Sequence, residues 1–143
     1  MDRAPRLRRA RIGAIAWGIC LLALTSWPKP PRVPFVSDIP DFDKLVHVAL
    51  YGAEAFFLYA SVAWPGRAVF SLARALAVAA TMAVWGAADE VHQHWIPGRS
   101  MEGEDVLADI AGAALGAVVA SLLAKKTPSP SSRGAAATRD LPS

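Results

Sequence analysis

The sequence predicts an all-α fold: a four-helix transmembrane bundle with cytoplasmic N- and C-termini and a disordered C-terminal tail. Three observations predict it. Of the 143 residues, 54% are hydrophobic and 19% charged, too apolar for a disordered chain and too few for two ordinary domains. The apolar residues gather into four blocks flanked by charge or proline, without the alternation of β-barrel spans. The basic residues fall mostly in alternate gaps between the blocks, so the net charge of +3 reflects membrane orientation and no nucleic-acid partner is expected.

Block one, residues 12–27, follows a basic segment at 1–11 and stops at Pro28-Lys29-Pro30-Pro31. A basic start and a short apolar run also describe a signal peptide. Thr25-Ser26-Trp27-Pro28 is a poor cleavage site, however, and Trp27 suits an interfacial anchor, so the block reads as an uncleaved helix. Its 16 residues fall short of the roughly 20 that cross a bilayer core, which implies thinned membrane or shared packing. Block two, residues 45–64, carries His47, Tyr51 and Glu54. Block three, residues 70–88, has Arg74 near its start, where it can snorkel to the surface. Block four, residues 106–124, contains one charge, Asp109, and ends at Lys125-Lys126.

A cytoplasmic N-terminus puts the Pro65-Gly66-Arg67 loop and the tail on the same side, and residues 28–44 and 92–105 outside. Of the 15 Lys and Arg residues, all but Lys29, Arg32, Lys44 and Arg99 then lie inside. The organisation is a basic terminus at 1–11, a membrane domain at 12–124 and a Ser-, Pro- and Ala-rich tail at 125–143 without apolar periodicity. No internal repeat is visible. The single cysteine, Cys20, excludes an intrachain disulfide and a Cys-based zinc cluster, and reads as a small packing residue.

The polar residues are segregated. Nine of the 12 acids sit on or beside the outer helix ends: Asp38, Asp41, Asp43, Asp89, Glu90, Glu102, Glu104, Asp105 and Asp109. His47, His92 and His94 are on that side too. Ionisable groups within a span are costly, about 2.5 to 3.5 kcal/mol each, so polar chemistry is expected at this end.

In the second helix Asp43, His47, Tyr51 and Glu54 form one stripe at steps of four, four and three. Glu54 lies about 15 Å below Lys44, where a neutral Glu hydrogen-bonded to a neighbouring helix competes with a proton-relay or ligand role. In the fourth, Asp105, Asp109, Gly112 and Gly116 form another stripe, with Gly112-x-x-x-Gly116 a small-residue pattern for close helix packing or, alternatively, a homodimer contact. The Gly face turns Asp109 toward protein and away from lipid. In the third, Glu90, Gln93 and His94 share a face, so that Glu90, His47, Asp105 and Asp109 can meet at one depth. The Pro97-Gly98 turn folds Arg99 back over these acids, for an internal salt bridge or contact with an incoming phosphate or carboxylate.

No metal and no cofactor are expected from spacing. There is no His-Glu-x-x-His, and His92 and His94, two apart, point to different faces. Ser100 lacks the context of a nucleophile elbow.

Asp43-Lys44-x-x-His47-x-x-x-Tyr51, Glu90-x-x-Gln93, Pro97-Gly98-Arg99-Ser100 and Asp105-x-x-x-Asp109-x-x-Gly112-x-x-x-Gly116, in this order, resemble the VanZ-like family of small bacterial membrane proteins. The resemblance covers residues 41–124. The family often has Asn at the position of Asp109, with Asp in short members; Asn orients by hydrogen bonding, whereas Asp can carry charge or a proton. The resemblance implies a multi-pass protein of the bacterial cytoplasmic membrane, in a family whose founding member is associated with low-level teicoplanin resistance. It brings no established reaction.

Three functions remain open. The favoured one is a polar pocket in the outer leaflet that holds an amphiphile, such as a lipid-linked wall precursor or a lipophilic antibiotic, with membrane lipids as partners. The second is an intramembrane enzyme acting on a lipid headgroup, with His47 as general acid or base oriented by Glu90 or Asp105. The third is a purely structural polar cluster.

Overall fold

A computed structural model describes residues 3–28, 34–35, 39–62 and 71–125. These form four helices and no strand: α1 (Arg3–Thr25), α2 (Phe42–Ser61), α3 (Leu72–Gln93) and α4 (Gly103–Lys125). The 65–67 loop, the tail beyond Lys125 and Asp38 lie outside the described residues.

Each helix has a local reason for its limits. The basic segment is helical from Arg3 and continuous with the apolar block, because Arg and Ala are good helix formers and Pro5 lies in the first turn, where no N–H is needed. Ser71 caps α3, its side chain accepting from Arg74 N–H at 3.3 Å. That helix runs beyond its apolar block to Gln93, since Asp89, Glu90 and Gln93 are all buried against the bundle. It ends in a turn in which Arg99 N–H donates to the Ile96 carbonyl, with Pro97 and Gly98 central and Gly98 at φ 87°, the type II pattern. Glu104 and Asp105 occupy the first turn of α4, where negative charge suits the helix dipole.

The central contact is between α2 and α4; α3 packs on α4, and α1 on α2. A Cβ on Gly112 would run into the backbone of Val48, and one on Gly116 into the carbonyl of Gly52. These glycines therefore let two backbones touch within one chain. Trp17 ties α1 to this pair by donating to the Leu50 carbonyl at 2.9 Å. At the opposite end from the acids, the Arg74 guanidinium sits 5.3 Å over the ring of Tyr59.

The interior combines small and polar residues with a few large ones, Leu21, Tyr51, Tyr59 and Met82, whereas many large aliphatic side chains face outward. Ala113, Ala117 and Ala120 of α4 are buried, whereas Leu107 and Leu115 on the same helix are 67% and 58% exposed. Ile15 of α1 and Val84 of α3 are 66% and 72% exposed. Leu72–Gln93 and Gly103–Leu123 are long and apolar enough to cross a membrane. An apolar exterior around buried polar groups is compatible with a membrane protein.

Candidate functional site

The C-terminal ends of α1 and α3 and the N-terminal ends of α2 and α4 lie together at one end of the bundle. Of the ten buried polar or charged residues among the described ones, seven lie here (Thr25, His47, Asp89, Glu90, Gln93, Asp105 and Asp109), in contrast with the alanine-rich middle, and most of them converge on two centres.

The first centre is Asp89. Its Oδ1 accepts from Thr25 Oγ1 at 3.0 Å, and its Oδ2 from Tyr51 Oη at 3.1 Å and Gln93 Nε2 at 3.3 Å. One carboxylate thus joins α1, α2 and α3. The pair Asp89 and Gln93 uses helical i, i+4 spacing, and buried Tyr51 finds the acceptor its hydroxyl requires.

The second centre is His47. Its Nδ1 lies 2.9 Å from Asp109 Oδ1, and its Nε2 lies 3.7 Å from Asp105 Oδ2. An ionised carboxylate only accepts, so with Asp109 charged the Nδ1 carries the proton of that bond. Asp109 is fully buried and fits because Gly86 of α3 faces it: a Cβ there would sit 2.7 Å from Asp109 Oδ2. Glu90 reaches across to α4, where its Oε2 accepts from Glu102 N–H at 2.9 Å and closes the start of that helix.

Lys44 roofs the cluster. Its Nζ lies 3.3 Å from Asp43 Oδ2, 3.4 Å from Glu104 Oε2, 3.7 Å from Glu102 Oε2 and 3.8 Å from Asp105 Oδ1. Slight burial works against ionisation of Asp43, but the hydrogen bond and charge of Lys44 outweigh it and hold this carboxyl below its ordinary value. Loss of water from around Lys44 is likewise outweighed by Asp43, Asp105 and Glu104, so the ammonium is held above its usual range.

The spacing places Arg99 over the acids; the structure does not. Its Nη2 donates to the carbonyls of Leu24 and Thr25 at 3.3 and 3.2 Å, and it makes no ion pair among the described residues. The last carbonyls of α1 have no partners within their own helix and carry the negative end of its dipole, which an Arg satisfies well. Lys44 is the cation over the acids. Nor does His94 share the buried face of Glu90 and Gln93: as the C-cap of α3 it is exposed, and so is His92. Glu54 is buried beside Gly18 of α1, and its Oε2 has no hydrogen-bond partner among the described residues, unlike the bonded Glu that its depth suggests.

Sequence reasoning passed over Asp89 and Thr25 as members of the site, and Gly86 and Gly52 as the residues that make room for it. Only Asp89 left a legible signal, through its i, i+4 relation to Gln93. Thr25 and the two glycines become meaningful when their partner helices are in place.

Among the described residues, His47, Glu90 and Asp105 form a buried group able to hold an ion, their ligand atoms lying within 4.8 Å of one another. Asp43 and Glu102, exposed at the rim, form a second such group with the buried Asp105. The sequence matches the family model for VanZ/LLP1 over residues 12–124. No curated protein and no solved structure matches it.

Proposed function

Because the chain belongs to the VanZ/LLP1 family, we propose that it is a multi-pass protein of the bacterial cytoplasmic membrane whose polar end holds the headgroup of an amphiphile. The carrying observation is the buried cluster of His47, Glu90, Asp105 and Asp109, reached from the surface through Lys44 and surrounded by helices with apolar outer faces. An anionic headgroup would meet the Lys44 ammonium, and its acyl or prenyl part would lie along exposed aliphatic side chains of α4 such as Leu107. Positive-inside bias supports four spans, cytoplasmic termini and a polar end in the outer leaflet. The tie to teicoplanin rests on the family resemblance alone.

The test uses a Gram-positive host expressing wild type or Lys44→Gln at equal membrane levels, with teicoplanin susceptibility and co-purified lipids measured together. The expected result is lower susceptibility and a retained anionic lipid with wild type, both lost in the variant. If lipid content is identical in the two proteins, the headgroup site is discarded. If susceptibility never changes, the resistance link is discarded.

The bond between His47 and Asp109 favours one other reading, an enzyme acting on a lipid headgroup with His47 as general acid or base. Asp109, rather than Glu90 or Asp105, is then the orienting carboxylate. This reading requires a new lipid product on overexpression that is absent with His47→Ala; unchanged membrane lipids under mass spectrometry would remove it.

A further inference from the structure

Three side chains from three helices converge where no sequence spacing relates them. His47 of α2, Glu90 of α3 and Asp105 of α4 are 6%, 2% and 8% exposed, and each offers a ligand atom within 4.8 Å of the others. The 3.7 Å between His47 Nε2 and Asp105 Oδ2 is too long for a hydrogen bond. It is close to the separation of two donors on one tetrahedral ion, about 3.4 Å when each bond is near 2.1 Å.

The surroundings point the same way. With Asp109 charged, the 2.9 Å contact is an Nδ1–H bond to its carboxylate, which leaves the Nε2 lone pair on the ring edge nearer Asp105, the carboxylate–histidine arrangement that orients metal-binding imidazoles. Glu90 Oε1 and Asp105 Oδ1 are buried oxygens without hydrogen-bond partners. One oxygen of Glu90 closes α4 and the other is left over, which is an unfavourable state for a buried carboxylate. Charge is also out of balance. Asp89 is compensated by three donors, but Glu90, Asp105 and Asp109, ionised together, would share only Lys44, at 3.8 Å from Asp105, and His47 among the described residues. A dication bound between Glu90 and Asp105 would neutralise both.

We infer that His47 Nε2, Glu90 and Asp105 bind a divalent ion of the zinc class, with Asp109 as the carboxylate that holds the imidazole. One nitrogen and two oxygens form a borderline donor set that suits Zn²⁺ or a similar transition ion better than Ca²⁺ or Mg²⁺. Three protein ligands would leave a fourth position for water or an anionic oxygen. The assignment stands without the amphiphile reading, and it is incompatible with His47 acting as a proton carrier, because the ion takes Nε2.

The test is made on the full chain, tag removed, in detergent and after dialysis against a chelator, with zinc as the probe. Wild type is expected to take up one zinc per chain with high affinity. Asp109→Asn should bind about 10- to 100-fold more weakly, as removal of an outer carboxylate does. Asp105→Asn should lose the site, and the rim control Glu102→Gln should bind as wild type does. Co²⁺ should give visible bands in wild type that one equivalent of Zn²⁺ abolishes. Should Asp105→Asn fail to fold, the cobalt spectrum of wild type decides. Absence of those bands, zinc uptake below one-tenth of an ion per chain, or equal affinity in wild type and Asp105→Asn overturns the inference. Lipid co-purification is measured on the same samples, so failure of the metal site and failure of the headgroup site are told apart.

Discussion

Asp89 accepts from three donors on three helices, so the Tyr51 hydroxyl is one of several supports and the carboxylate is their common anchor. Tyr51→Phe removes one interhelical bond and is expected to cost about 0.6 kcal/mol, with an upper bound near 1.7. Asp89→Ala strands the Tyr51 hydroxyl and the Gln93 amide, while Thr25 keeps the Leu21 and Leu22 carbonyls, and should cost about 1 to 3 kcal/mol. Thermal unfolding in detergent followed by circular dichroism separates these outcomes, and equal losses would mean that the hub is not shared. Glu54 is the opposite case, since its Oε2 has no partner and no interhelical bond is lost on its removal. Glu54→Leu should change stability by less than about 1 kcal/mol, or raise it; a loss above about 2 kcal/mol in the same assay would show that the carboxyl has a partner. The stripe containing Tyr51 and Glu54 is legible from spacing alone, because 3.6-residue periodicity fixes which side chains share a face. The bonds they make are not, because acceptors such as Asp89 belong to other helices.

At the scale of helices, α2 and α4 approach until backbone meets backbone, with Gly112 and Gly116 on one side and Val48 and Gly52 on the other. Gly116→Val places a branched side chain where the Gly52 carbonyl lies, with no flexible neighbour to yield. Overpacking of this kind costs at least about 1 to 3 kcal/mol. The expected outcome is a marked fall in folded protein by size-exclusion profile in detergent; an unchanged profile and melting temperature would place α2 and α4 farther apart. Gly112-x-x-x-Gly116 is readable in the sequence as a packing motif, but its partner could have been another copy of the chain or a neighbouring helix. Arg99 illustrates the same boundary. Spacing brings it back toward the bundle, yet the choice between acids and helix carbonyls depends on where α1 ends in space. Arg99→Ala should loosen the last turn of α1 by about 0.3 to 2 kcal/mol and speed amide exchange there, leaving the α4 start protected. Faster exchange at the α4 start instead would return Arg99 to the acids.

For the whole molecule, the positions of charge yield a topology that can be tested directly. In a Cys20→Ser background, Trp95→Cys should react with a membrane-impermeant maleimide on intact cells, while Arg8→Cys should react only after lysis. The reverse labelling would invert the bundle and move the polar cluster to the cytoplasmic leaflet. Helix number and the gathering of acids at one end follow from the sequence itself, because composition and helical period are local properties that hold whatever the neighbours do. Which groups pair was decided only by tertiary structure. Lys44 and not Arg99 over the acids, Asp89 as the anchor of three helices, and His47, Glu90 and Asp105 around one small volume are all contacts between residues from different helices. Their geometry depends on how closely glycines allow those helices to approach, which the order of residues along one chain does not encode locally.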